Sequence, residues 1–186
     1  QHCVDTGLSS NLALSLAGLE RGEGLPWSAG ARSALDWAGS LVGQTRSGPG
    51  VGRTSSLRYL RIDATMAGLR PRELDRSARR DLSSVLRRSS LLFGGLDLFV
   101  PPTHFTDAAH SDRAAEAVLA SIELAADLAA LSAGASAGTA MGADADAGRV
   151  VAIELPRDVS VSMLEEFDRH AQSRGVRLAD HAVFTE

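Results

Sequence analysis

The sequence predicts an α/β fold: a parallel β/α barrel of the TIM type, incomplete, with about five strands and four helices in a single domain over residues 1–186. Two observations lead there. Segments with strand alternation and segments with helical periodicity take strict turns along the chain, which implies parallel strands joined by right-handed helical crossovers. Each strand also splits, at period two, into one apolar set and one small or polar set. A doubly wound open sheet is covered by helices on both faces, so its strands tend to be apolar throughout. A barrel carries helices outside only, and its inner face tolerates polar groups that pair or lead to a site.

In order, "NLALSLAGL" alternates leucine with small residues and reads as the first strand. "PWSAGARSALDWAGSLV" reads as a helix with Ser28 as its N-cap. "LRYLRIDAT" is the second strand, and "RPRELDRSARRDLSSVLRRSS" a helix with Leu74, Leu82, Val85 and Leu86 on one side. "LLFGGLDLFV" is the third strand. The long helix "DAAHSDRAAEAVLASIELAADLAALS" turns Val118, Leu119, Ile122, Leu124 and Leu128 to the core, with Asp107 as a candidate N-cap. "RVVAIEL" is the fourth strand, "SVSMLEEFDRHAQSRG" a helix closed by Gly175, and "VRLADHAV" the fifth strand. Two stretches rich in Gly, Ser and Ala, at about 43–56 and 132–148, each follow a helix and precede a strand. They read as flexible insertions at the N-terminal ends of the strands, away from where parallel α/β folds keep their sites. Neither is a phosphate loop, because no GK[ST] follows.

The polar parity of the strands picks out candidate residues. Arg61 and Asp63 stand opposite Leu60 and Ile62; Gly95, Asp97 and Phe99 oppose Leu96, Leu98 and Val100. Glu154 opposes Val151, Ile153 and Leu155, and Arg177, Ala179 and His181 oppose Val176 and Leu178. Arg61 and Asp63 could pair with each other inside the barrel. Asp63 and Glu154 stand at strand C-terminal ends, where barrel enzymes keep their chemistry. After the third strand, Pro101 and Pro102 cannot continue a ladder, so the chain turns out sharply and sets His104 beside the opening. A loop histidine bonded to backbone is the plainer alternative for His104, and His110 reads as a surface residue.

Composition narrows the function. At 186 residues roughly 70% of the unfolded surface can be buried in one ordinary domain. The net charge of −4 argues against a general affinity for nucleic acid or anionic membrane. No apolar run approaches the ~20 residues of a membrane helix, and the start "QHCVDTGLSS" has no signal-peptide pattern. The lone Cys3 cannot form an internal disulfide and fits a cytoplasmic protein. All 19 residues counted as Lys or Arg are arginine, which excludes a Schiff-base lysine within the chain. A chain beginning with Gln1 is expected to be a processed product or a fragment.

The blocks "GLPWSAGARSALDWAGSL", "LRIDATMAGLRPRELDRSARRDL", "FGGLDLFVPPTHFTD" and "GVRLADHA" together resemble the sugar phosphate isomerase/epimerase proteins of the xylose isomerase-like barrel superfamily, over most of the chain except the two insertions. The resemblance implies an eight-stranded barrel of roughly 250 residues, with a divalent metal (Mn, Mg or Zn) near the strand ends and acid/base residues that shift a proton next to a sugar carbonyl. Taken with the rim positions above, the expected catalytic residues are Glu154 and His104, the expected substrate contacts Asp63 and Asp97, and the expected metal ligands His181 and Asp180. The family's fifth strand often ends Leu-Glu-Asn-His with an inward metal-binding Glu. Here the match is Leu178-Ala179-Asp180-His181, so Asp180 takes that role only where the strand bulges or ends early.

The first expected function is therefore a metal-assisted sugar or sugar-phosphate isomerase or epimerase with a small-molecule substrate. A degenerate or truncated barrel without activity is the alternative. Metal-dependent cleavage of DNA at abasic sites, also found in the superfamily, is disfavoured by five histidines and an acidic balance. Strands are expected in the order 1-2-3-4-5, and their open edges leave a homo-oligomer open. Asp63, His104, Glu154 and His181 are expected to converge on one rim.

Overall fold

In a computed structural model the chain is described over residues 12–17, 25, 29–44, 57–135 and 148–181. The elements are β1 (Leu12–Ser15), α1 (Ala31–Gln44), β2 (Leu57–Asp63), α2 (Arg76–Arg88), β3 (Leu92–Leu98), α3 (Ser111–Ala135), β4 (Val150–Ile153), α4 (Val161–Arg174) and β5 (Arg177–Asp180). The five strands form one parallel sheet in the order β1-β2-β3-β4-β5. It is an α/β fold with the expected strand order, but the sheet does not close: β1 and β5 do not pair with each other. Sequential order with crossovers of one hand sets all the helices on one side of the sheet. Consistent with this, α1 packs on α2, α2 on α3 and α3 on α4. Among the described residues no helix is long and apolar enough to cross a membrane.

The core lies between that helical layer and the apolar parity of the strands. Leu16, Leu60, Ile62, Leu96, Leu98, Val151 and Ile153 are all buried, and they join Ala34, Leu35, Leu82, Leu86, Val118, Ile122, Leu128 and Phe167 in one cluster. Side chains of this size contribute about 1.5–3 kcal/mol each when fully buried. Phe105, which follows β3, meets Phe167 of α4 edge to face at 6.5 Å, so the β3–α3 connection is pinned to the helical layer. On the outer surface Asp127 of α3 takes Arg79 from α2 and Arg174 from α4, and Arg174 also reaches Glu123.

Several boundaries differ from the sequence reading. The helix expected from Arg70 divides into a 3₁₀ turn at Pro71–Glu73 and α2. Leu74 is extended between them, and Asp75 then caps α2 by accepting from the Ala78 N–H at 2.8 Å. Asp107 is not the N-cap of α3. It accepts from the Ala109 N–H and from His110 and so shapes the turn that precedes Ser111. Of the stretch expected to be flexible at 132–148, the residues up to Ala135 belong to α3 and Gly148 lies against Phe93, while 136–147 lie outside the described residues. Likewise Gly43 and Gln44 belong to α1, and Ser28, Cys3 and residues 45–56 lie outside the described residues. Gly175 closes α4 as expected, in the left-handed conformation with φ 63°.

Gly95 holds the middle of the sheet at close spacing. Its φ is +117°, and a Cβ there would stand 2.6 Å from the Val150 carbonyl oxygen and 3.2 Å from Arg61 Nη1. Gly95→Ala is expected to cost about 1–3 kcal/mol. Urea unfolding should show a lower midpoint at unchanged slope; a midpoint equal to wild type would show that β3 and β4 tolerate a wider spacing.

Candidate functional site

The face away from the helices carries the polar parity. Register places Asp63, Asp97, Ala152 and Ala179 in one row across β2 to β5, and Ser15 beside Arg61 one row earlier. Gly95 follows Arg61 in that earlier row. Because it has no side chain, the Arg61 guanidinium can lie along the sheet toward Asp97.

Asp97 is the centre of this face. Only 1% of it is exposed. Its Oδ1 accepts from Arg61 Nε at 2.9 Å and Nη2 at 2.6 Å, and its Oδ2 accepts from Ser15 Oγ at 2.5 Å. Arg61 Nη2 also donates to the Leu96 carbonyl at 3.0 Å, so the guanidinium is anchored to the sheet itself. A buried carboxylate with several charge-assisted bonds is a rigid group.

His181 comes to the same carboxylate from the far side. Its N–H donates to the Ile153 carbonyl at 3.1 Å and carries the ladder one residue past β5. The imidazole reaches back across β4 and sets Nε2 3.3 Å from Asp97 Oδ1. That Nε2 is buried and makes no hydrogen bond among the described residues, so its relation to Asp97 is an ion-pair distance without hydrogen-bond geometry. The ring stacks on Phe99 with centroids 4.9 Å apart and planes at 26°. Phe99 itself is 48% exposed.

The other expected site residues divide between two places. Asp63 is buried, and its Oδ1 accepts from the Thr65 N–H at 2.7 Å and from Thr65 Oγ1 at 2.5 Å, so part of its role is to shape the turn after β2. Glu154 stands one residue past β4, exposed, with no hydrogen bond or ion pair among the described residues. His104 sits with a second group beyond β3. Its N–H donates to the Pro101 carbonyl at 2.8 Å, and its ring stacks on His110 at 4.6 Å. His110 Nδ1 is 2.5 Å from Asp107 Oδ2. The Ala109 N–H first, then His110, hold the Asp107 carboxyl below its ordinary range. Its contribution to the turn is therefore present above that range and is lost as acid titrates it through the lowered value. All the expected residues stand at the C-terminal ends of the strands, but His104 faces His110 while Asp97 and His181 face each other.

The residues named as metal ligands do not fit a metal together. Asp180 and His181 are consecutive in an extended segment, so their side chains leave on opposite faces. The carboxylate nearest His181 already holds the Arg61 guanidinium, a fixed cation where a metal would need to be. Among the described residues no three His, Cys, Asp or Glu side chains are placed to hold a metal ion.

Ser15 and Phe99 lie at this face, and neither has a chemical role that the sequence points to. Inward parity marks both, but a serine in a small-residue strand and an aromatic before two prolines carry no chemical signature of their own. Comparison with models of known families, with curated proteins and with solved structures finds no match to this chain.

Proposed function

We propose that the five strands are part of a TIM-type barrel whose inner face performs proton transfer of the isomerase or epimerase class, next to the carbonyl of a small sugar or sugar phosphate. The observation that carries this reading is the meeting of Ser15, Asp97 and His181, which come from β1, β3 and the end of β5. In a flat sheet alternate strands lie roughly 10 Å apart and their side chains rise in parallel. Short side chains that touch across that gap need a concave face, which is what a barrel wall provides. The edges of β1 and β5 are where closing strands would add, from further chain or from a second copy.

The chemistry follows from what holds His181. Asp97 is fixed by Arg61 and Ser15 and lies on the Nε2 side of the ring, so Nδ1 is left to exchange a proton with substrate. When the ring takes that proton from the carbon beside a carbonyl, the nearby carboxylate stabilises the imidazolium, and the C–H electron pair moves onto the carbonyl oxygen as an enediolate forms. Glu154, one residue past β4 and of the same parity as Ala152, would carry the second proton, to the carbonyl oxygen. Phe99 supports the ring and shields one side of it. No step is assigned to a divalent metal.

The test uses the chain as it is, in D2O with EDTA, against a panel of aldoses, ketoses and their phosphates. The expected result is loss of the proton signal at the carbon next to the carbonyl for at least one of them. No exchange with any sugar, or exchange only once Mn²⁺ is added, would overturn the reading.

A second reading has its own observation. Asp97 and Arg61 satisfy each other and the sheet so fully that the cluster can serve as a purely structural tie in a barrel without activity.

A further inference from the structure

Beyond Phe99 lies a groove of about 640 Å³, which the proton-transfer site does not use. Its floor is the ends of β2 and β3. One wall is the turn that carries Arg70 and Arg72; the other is His104 and the start of α3, with His110, Arg113 and Glu116.

The charges in it are uneven. Arg70 is committed: its Nε donates to the Thr65 carbonyl at 3.0 Å and its Nη1 lies 3.2 Å from Glu73 Oε1. Glu73 in turn accepts from the Gly68 N–H at 2.6 Å, which with Arg70 holds its carboxyl below the ordinary range. Arg72 and Arg113 make no hydrogen bond or ion pair among the described residues, though both line the groove. Glu116 is the one carboxylate among the lining side chains. The stacked imidazoles of His104 and His110 add ring nitrogens on the same wall. The first turn of α3 contributes the partial positive end of a long helix.

Guanidiniums without a hydrogen-bond partner among the described residues that line one concave site are suited to an anion that accepts several hydrogen bonds at once. A carboxylate has two oxygens to offer. A phosphate monoester has three terminal oxygens and up to two charges, which better matches two guanidiniums without a hydrogen-bond partner among the described residues and the His104 imidazole beside them. We propose that this groove binds the phosphate of a small phosphorylated ligand, with Arg72 and Arg113 as its principal contacts. Phe99 lines the groove and stacks on His181, so a ligand held there by its phosphate extends toward the imidazole. This last step alone rests on the proton-transfer reading above.

Binding of inorganic phosphate to the chain, measured by calorimetry at constant ionic strength, tests the groove without any need for turnover. The expected result is binding at least roughly tenfold tighter than that of chloride or acetate, and a loss of roughly tenfold or more in the Arg72→Ala/Arg113→Ala double variant. Both arginines are exposed, so circular dichroism should show the variant folded. His181→Gln should bind phosphate like wild type, which separates this site from the proton-transfer reading. Phosphate binding no tighter than that of the other anions, or a folded double variant that binds phosphate like wild type, would overturn the proposal.

Discussion

Asp97→Ala should cost about 3–5 kcal/mol of folding stability, the range seen when one partner of a buried ion pair is removed. The aspartate is 1% exposed and takes two N–H groups of Arg61 and the Ser15 hydroxyl. Without it the Arg61 guanidinium keeps, among the described residues, the carbonyls of Gly94 and Leu96. Its side chain is 23% exposed, so water can recover part of the loss, and the lower half of the range is expected. Asp97→Asn keeps the shape and should cost less, because a neutral acceptor remains for Arg61 while the charge is lost. Urea unfolding of the two variants checks the order. If Asn and Ala cost the same, the negative charge rather than the packing is what the sheet needs. If neither costs more than about 0.5 kcal/mol, as at an ordinary surface site, the contacts around Asp97 do not hold β1, β3 and β5 together.

How far the sequence could be read is clearest on this same face. Period-two alternation separates Leu60 and Ile62 from Arg61 and Asp63, and Leu96 and Leu98 from Asp97; the first set joins the apolar cluster under the helices, while Arg61 and Asp97 meet on the other face. Parity says which face a side chain takes, but not which neighbour it leans toward. Pairing of Arg61 with Asp63 along one strand was a reasonable expectation. In the structure Asp63 bonds Thr65 in its own turn, and Gly95 leaves room for Arg61 to reach Asp97 on β3 instead. Loops carry no parity at all. His104 is six residues past β3, and its position depends on the turn made by Pro101–Phe105 and on the contact of Phe105 with Phe167. That is why His104 could be placed on the rim from sequence, but not beside His110 and Arg113. The break between Glu73 and Arg76 was hidden because Leu74 fits the helical stripe of α2, while the capping strength of Asp75 shows only through its bond to Ala78.

His181→Gln should lower turnover roughly 10²–10⁴-fold on whichever sugar exchanges its proton, the usual contribution of a positioned acid or base. Glutamine keeps polar atoms near Asp97 but cannot take up a proton at neutral pH. His181 lies one residue past an edge strand, and its side chain is 25% exposed, so the melting temperature should move little. Glu154→Gln is the companion test. The carboxylate is exposed and makes no hydrogen bond or ion pair among the described residues, so its loss should leave stability within about 0.5 kcal/mol. If Glu154 carries the second proton, turnover falls in this variant too, and one limb of the pH–rate profile disappears. The double variant then decides how the two groups act. Groups that serve one transfer in sequence are strongly non-additive, so the pair should be little worse than His181→Gln alone. Additive losses would mean that Glu154 acts on substrate independently, as a binding group. Unchanged turnover in His181→Gln with a lowered melting temperature would leave Asp97, Arg61 and His181 as a structural tie across the sheet, and the inner face without its proton carrier.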